Sequence, residues 1–306
     1  MNRVLVPRDK PDSLDHIASS CETFERPIFI KDPKHPEGYE ETCASICSVY
    51  TPANNRRRGY AQHLLTLLHD KLAALGIMSV LYSDVGDYYS RVKRRHPNPA
   101  LAAGWEIVGP RNVAWSVDDS LPPASEKNGT LFSKLDEDDL ESICNQDAML
   151  LRGEVRSSTS SSAFTILPSS DQLQWPLLRC KFYDSFRHPS SRYDFPHIDD
   201  WGCQSGASGS EDWAFAVWSY NFTERTLAIL RLRCKTPAQL QEIVRRAQNA
   251  AVRQGMELIT AWNVAEDLLT GTGWRNVERK EHLPAMAWYG EEARPQWLCN
   301  ENWAWV

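Results

Sequence analysis

The run Arg56-Arg57-Arg58-Gly59-Tyr60-Ala61 puts three cations, a residue without a side chain and a small residue directly ahead of a leucine-rich stretch. The first turn of a helix presents unpaired backbone N–H groups and a partial positive charge, and anions bind there. Gly59 lets an anion come close to the backbone. Ala61 keeps the first turn uncrowded, and the arginines add positive charge at the rim. On this chemistry the stretch is a cradle for a diphosphate. Two other readings compete with it on residue types alone: a basic patch for nucleic acid, and a solvated turn ahead of a helix.

The flanking elements bear on the choice. Residues 19–31 and 43–50 are rich in β-formers and predict two strands, with the Pro- and Gly-containing residues 31–40 as the loop between them. Ala61, Leu64, Leu65, Leu68, Leu72 and Leu75 fall on one face of a helix that Gly76 ends. Residues 77–83 predict the next strand. Residues 86–92 begin a second helix, which Pro97 and Pro99 stop. Residues 103–109 and 112–117 predict a closing hairpin, and the polar, Pro-rich 118–130 a linker.

The second half repeats this rhythm. Helix signals at 135–150 lead to polar loops at 156–162 and 203–212 and a hairpin over 213–233 turning near Asn221. A helix follows from Thr236 (N-cap) and Pro237 to Gly255, then a strand over 257–264, then aromatic strands at 284–290 and 302–306. The repetition suggests a diverged duplication in which only the first half keeps Arg and Gly at the strand-to-helix junction. The expected class is α/β with mixed sheets: one domain over 1–120, a linker over 121–135 and a degenerate copy over 136–306.

The charge balance works against nucleic acid: 34 Lys and Arg against 40 Asp and Glu give a net charge of -6. Eight cysteines include no CxxC pair, so reduced thiols are expected and no metal site. No apolar run reaches the roughly 20 residues that span a bilayer, and no signal peptide stands at the start, so a cytoplasmic protein without a membrane partner is expected.

The order strand, Arg56-x-x-Gly59-x-Ala61, helix, strand resembles the acetyl-CoA-binding motif of the GNAT N-acyltransferase superfamily, whose signature is Q/R-x-x-G-x-G/A. With "SSCETFER", "SVYTPANNRRRGYAQHLLTLL", "SVLYSDVGDYYS" and the closing "NENWAWV", the chain resembles the fungal lysine N-acetyltransferase group, in which a GNAT domain precedes a C-terminal GNAT-like half. The first half carries the specific motifs, and the second matches more loosely.

The resemblance implies acetyl-CoA as cosubstrate, with Arg56, Arg57, Arg58, Gly59, Tyr60 and Ala61 around its diphosphate. It implies that the strand ending at Val49 and Tyr50 splays from its neighbour and pairs with the pantetheine arm. Tyr89, with Tyr88 second, is implied as general acid to the departing thiolate, in a Tyr-Tyr…Gly104-Trp105 pattern that residues 90–103 interrupt. Glu22 or Glu25 is a candidate base. An alternative is the terminal carboxylate of Val306, buried by Trp303 and Trp305. The implied reaction is direct transfer, in a ternary complex, to a small-molecule amine, lysine or a related amino compound. The rival expectation is a catalytically inactive GNAT-like CoA-binding or scaffold protein. It draws on the interrupted tyrosine motif and on the lack of the superfamily's opening strand and two helices, which makes the first domain N-terminally shortened. The acceptor and the oligomeric state stay open.

Overall fold

A computed structural model describes residues 1–12, 14–97, 102–118, 132–186 and 197–305. In chain order the elements are β1 (Asn2–Leu5), β2 (Ser19–Asp32), β3 (His35–Tyr50), α1 (Tyr60–Leu75), β4 (Met78–Ser83), β5 (Glu106–Ile107), β6 (Arg111–Ser116), β7 (Ser133–Leu135), α2 (Asp139–Ser157) and β8 (Ala163–Ile166). They continue as α3 (Ser170–Asp184), β9 (Gly202–Ser205), β10 (Ala214–Asn221), β11 (Thr226–Arg233), α4 (Pro237–Arg253), β12 (Leu258–Trp262), α5 (Glu266–Leu269), β13 (Val277–Glu278), β14 (Leu283–Trp288) and β15 (Gln296–Trp297).

Two mixed sheets result. The first runs β15-β8-β2-β3-β4-β14-β5, with β1 also on β2, and the second runs β13-β6-β12-β11-β10-β9-β7. In each, a strand crosses through a helix to a parallel neighbour: β3–α1–β4 in the first and β11–α4–β12 in the second. The repeated rhythm expected from the sequence is therefore present as two βαβ units. α4 starts from a full capping box, Thr236 with Gln239, and α1 starts from Gly59 without any side-chain cap.

Several elements differ from the sequence expectation. Residues 31–40 are strand and tight turn, not loop. The Asp32 carboxylate accepts from the Lys34 and His35 backbone N–H groups, both at 2.8 Å, which closes the turn. Gly38 is needed there because a Cβ would lie 2.5 Å from the Phe29 ring. Residues 103–117 form no hairpin: β5 pairs with β14 in the first sheet, while β6 pairs with β12 and β13 in the second. Gly109, at φ 59, turns the chain between them. Residues 302–304 are a short 3-10 turn, not a strand. α3 was not anticipated at all. Pro176 lies inside it, and Ser169 caps it by accepting from Gln172 N–H at 3.4 Å. Residues 119–131, which hold most of the expected linker, lie outside the described residues.

The sheets exchange strands across that stretch. β6 leaves the first half for the second sheet, and β8, β14 and β15 return from the second half to the first. Leu64, Leu65, Leu68 and Leu72 of α1 bury one face of the first sheet against Cys21, Ile46, Leu81 and Ala285. Each such leucine contributes about 2 kcal/mol. The other face joins the second sheet in one continuous core that includes Ile28, Val80 and Met286 on one side and Ile259 and Ala261 on the other. Inside it, Arg231 is held by Asp147 at 2.7 and 3.0 Å and by Glu301 at 2.5 Å. Arg233 adds a second contact to Asp147 at 2.6 Å.

Candidate active site

β3 and β4 pair only at Ala44–Ser79, Ser45–Val80 and Ile46–Leu81. Beyond these residues β3 runs on to Tyr50 and β4 to Ser83 without pairing to each other. β3 also bulges at this point, because its register with β2 shifts between Glu22–Cys47 and Ser20–Tyr50. Ser48 and Val49 thus share Cys21 as their single opposite residue. A bulge bends its strand and frees ladder groups. Ser48 takes a left-handed φ of 53, unusual for a residue with a side chain, and its hydroxyl donates to Glu22 Oε2 at 2.8 Å. Val49 packs on the core beneath α1, while Tyr50 is exposed and its carbonyl accepts from Ser19 Oγ at 2.9 Å.

The loop between β3 and α1 carries two left-handed residues, Arg57 at φ 61 and Gly59 at φ 79. Left-handed turns alternating with ordinary ones converge successive N–H groups into an anion-binding hollow. α1 makes its first backbone bond from His63 N–H to the Gly59 carbonyl at 2.9 Å, so the Tyr60 and Ala61 N–H groups precede the helical ladder. A Cβ built on Gly59 meets nothing within 4 Å, so the approach to these groups is open. The three arginines divide their tasks. Arg56 donates from Nε to the Thr51 carbonyl at 3.1 Å and braces the loop, while Arg57 and Arg58 are exposed at its rim.

Tyr88 and Tyr89 start a 3-10 turn, Tyr88–Arg91, just after β4. Gly104 and Trp105 return to it in spite of the long interval. Trp105 N–H donates to the Tyr89 carbonyl at 3.2 Å, and a Cβ on Gly104 would lie 2.5 Å from the same oxygen. The Trp105 ring is fully buried, donates from Nε1 to Ser79 Oγ at 2.9 Å and stacks on His69 at 4.2 Å. Burial pushes the His69 imidazole down to about 4. The two tyrosine rings meet edge to face at 5.3 Å. Burial raises the Tyr88 phenol and pushes Tyr89 up to about 12, so both carry their protons at neutral pH.

Side chains alternate between the faces of a strand. Cys21 points to the α1 core, so Glu22 points to the opposite face. There it accepts from Ser48 Oγ at 2.8 Å and lies 3.8 Å from Cys47 Sγ. Glu25 is exposed on the α1 side. Tyr88 and Tyr89 pack against the α1 core, so the phenols and Glu22 stand on opposite faces with the splay between them. Trp303 is buried and Trp305 lies 5.0 Å from His282, while Val306 is outside the described residues.

The Glu22 face also holds groups that the sequence reading missed. Arg26 and Tyr82 are on it, and Arg279, just after β13, lies 3.5 Å over the Trp262 ring. Nothing local separates Arg279 from the surface charges beside it in "RNVERKEH". Trp262, His282 and Trp305 line a cavity of about 120 Å³. Among the described residues no group of His, Cys, Asp and Glu could hold a metal ion, and no helix is long and apolar enough to cross a membrane.

Residues 118–306 match the LYC1 GNAT-like C-terminal domain. Comparison with curated proteins by sequence finds no match. Among solved structures, the GCN5-related N-acetyltransferase from Anabaena variabilis superposes with a TM-score of 0.52 at 12% identity, covering 94% of this chain and 63% of that one. The corresponding values for the GCN5-related N-acetyltransferase from Kribbella flavida are 0.48, 13%, 90% and 59%. For Eis1 from Mycobacterium abscessus they are 0.47, 11%, 90% and 62%. At these identities the first superposition speaks for the fold alone, and the chain spans about three fifths of the length of these structures.

Proposed function

Because this chain belongs to the GNAT proteins that carry the LYC1 GNAT-like C-terminal domain, we propose that it is an acetyl-CoA-dependent N-acetyltransferase acting on a small-molecule amine, lysine or a related amino compound. The observation that carries this reading is the pairing of a splayed β3/β4 with a left-handed, uncapped entry to α1. The entry offers N–H groups from Arg57 to Ala61 to a diphosphate, with Arg57 and Arg58 adding charge. The splay offers the freed backbone around Val49 and Tyr50 to a pantetheine arm, as an added strand would use it.

Acetyl-CoA supplies the activated acyl group. The Val49 N–H polarises the thioester carbonyl. The neutral amine forms the new C–N bond from the Glu22 face, and Glu22 takes the amine proton directly or through water. As the C–S bond breaks, Tyr89 donates to the developing thiolate from the opposite face. Its raised pKa keeps the proton in place and makes donation, more than full transfer, its contribution. Tyr88 fixes the Tyr89 ring by edge-to-face contact.

Two measurements on the purified protein test this. Acetyl-CoA at about 100 times its Kd should raise the melting temperature by about 4 °C. Free thiol should then appear with at least one member of an amine panel that includes L-lysine, and mass spectrometry should find the acetylated amine. No thermal shift at millimolar acetyl-CoA would sink the cosubstrate assignment. A shift without thiol release from any amine would leave a CoA-binding protein.

A further inference from the structure

At the open end of the first sheet the chain sets an imidazole beside a carboxylate. β14 begins at Leu283 opposite Ser83, the last residue of β4, so His282 and Asp84 are the next residues on the two strands. The Asp84 carboxylate accepts from the His282 backbone N–H at 2.8 Å, and the same oxygen lies 2.8 Å from the ring's Nδ1. Nδ1 is shut off from solvent, is not aligned on that oxygen as a hydrogen bond, and has no other partner among the described residues. His282 is also held at a left-handed φ of 50, as Ser48 is at the splay. Such strain in a residue with a side chain clusters at functional sites. With Nδ1 turned to Asp84, Nε2 is the nitrogen left for a ligand.

The position suits a proton acceptor. β3 and β4 part after Ile46 and Leu81, so this pair stands on the β4 side of the splay, as Glu22 and Ser48 stand on the β3 side. The imidazole lies 6.4 Å from the Trp262 ring and 5.0 Å from the Trp305 ring, and all three line the cavity of about 120 Å³. Trp262 ends β12 of the second sheet, so His282 is on the face opposite α1, from which the amine attacks in the reading above. The charge of Asp84 also reaches the Tyr89 phenol, the donor to sulfur. Other charges flank the imidazole. Arg179 of α3 and Arg279 lie over the Trp305 and Trp262 rings, and Glu281 precedes it in the chain. The remaining ionisable groups around the cavity are Cys180, Tyr183, Tyr220 and Glu224. The His282 and Asp84 side chains are 34% and 61% exposed, so a proton taken up there can pass on to water.

An alkyl amine has a pKa of about 10.4, so at pH 7 only on the order of one molecule in a few thousand is neutral. As an ammonium it loses two protons on the way to the amide. Glu22 takes the one that leaves as the C–N bond forms, and it offsets the proton that Tyr89 gives to sulfur. We propose that His282, oriented by Asp84, takes the other. Nε2 accepts a proton from the bound ammonium before attack, which frees the nitrogen's electron pair for the thioester carbon. The Asp84 carboxylate stabilises the imidazolium that results, and the proton then leaves to water. An imidazole fits this step because it takes up and gives up a proton near neutral pH. His282 is then a second base, and Asp84 a positioning residue. The proposal rests on the transferase reading and adds the step that supplies its neutral amine.

The test follows kcat/KM by thiol release between about pH 7 and 9.5, with the full chain, saturating acetyl-CoA, and L-lysine or the panel amine that releases most thiol. His282→Gln keeps a polar side chain but has no titrating nitrogen. It should lower kcat/KM on the order of 100-fold at pH 7. Its kcat/KM should then climb about tenfold per pH unit, as solution supplies the neutral amine, while the wild type stays nearly level. The Kd for acetyl-CoA should not change. Asp84→Asn can still accept from the His282 backbone N–H and should lose about tenfold at pH 7, with the same steepening. A wild-type rate in His282→Gln overturns the proposal and leaves the transferase standing. So does a loss that is equal at every pH, which makes His282 a structural residue. A wild-type protein that releases no thiol with any amine removes the transferase and this base together. If His282→Gln does not fold, the slope of Asp84→Asn decides.

Discussion

Gly59→Ala separates the cradle from its neighbours with one methyl group. At φ 79 an L side chain is strained, at a cost of about 1 kcal/mol, which is about 2 °C in melting temperature for a chain of this size. No other cost to the folded protein is expected, because the new Cβ meets nothing within 4 Å. That open space is where a diphosphate would approach the N–H groups of Arg57 to Ala61. The methyl group would hold it off one charge-assisted hydrogen bond, which contributes about 1.5–3 kcal/mol, so the Kd for acetyl-CoA should rise by about 10- to 100-fold. Calorimetry with acetyl-CoA measures this, and S-acetylpantetheine, which lacks the diphosphate, serves as the control ligand. An unchanged acetyl-CoA Kd in a variant that shows the strain penalty would refute the assignment of the diphosphate to this loop. Equal weakening of both ligands would mean that the loop had distorted and that the contact itself was not the cause.

Tyr89→Phe should lower kcat about 100-fold with little change in KM for acetyl-CoA; a wild-type kcat would remove Tyr89 as the donor to sulfur, and Tyr88→Phe would then be the next variant. The His69 imidazole is held down to about 4 by burial, against an ordinary 6.5. Its folded-state pKa is depressed, so the stability tied to its neutral form is fully present above about pH 6.5 and is lost as pH falls toward 4, about 3 kcal/mol in all. His69→Gln should flatten urea-denaturation stability over that window, and an unchanged slope would count against burial as the cause. Asp147→Asn leaves Arg231 and Arg233 short of a shared anion and should cost about 3–5 kcal/mol in equilibrium unfolding; a loss under about 1 kcal/mol would show that the network tolerates the missing charge.

The left-handed, uncapped entry to α1 is legible because its signals are local. Gly59, the leucine stripe of α1 and the β-formers on either side lie within one stretch of chain and act through backbone conformation and one buried face. The tyrosine motif was legible only in part: Tyr88-Tyr89 and Gly104-Trp105 were both recognised, but their contact depends on Gly104 fitting against the Tyr89 carbonyl, which no local pattern encodes. The hairpin over 213–233 was legible, but strand partners far apart in sequence were not. Residues 103–109 and 112–117 look like a hairpin because both are apolar and adjacent, yet each finds a better partner far away in sequence. α3 escaped notice because a proline interrupts its pattern. Arg279 escaped because its distinction is a guanidinium without a hydrogen-bond partner among the described residues, which only the folded chain reveals.

The exchange of strands has a consequence for synthesis. β4, which bounds the cradle helix and the splay, has β14 as its outer neighbour, and β14 ends only at Trp288. A ribosome that has delivered the entire cradle must still make some two hundred residues before that edge is covered. Until then the nascent chain carries an open strand edge beside Val80 and Leu81, the kind of surface that recruits stray strands. The first sheet therefore cannot mature ahead of the rest. A late frameshift that spared every residue of the cradle would still leave it incomplete, and cutting the gene between its two halves would yield two fragments that each lack a piece held by the other.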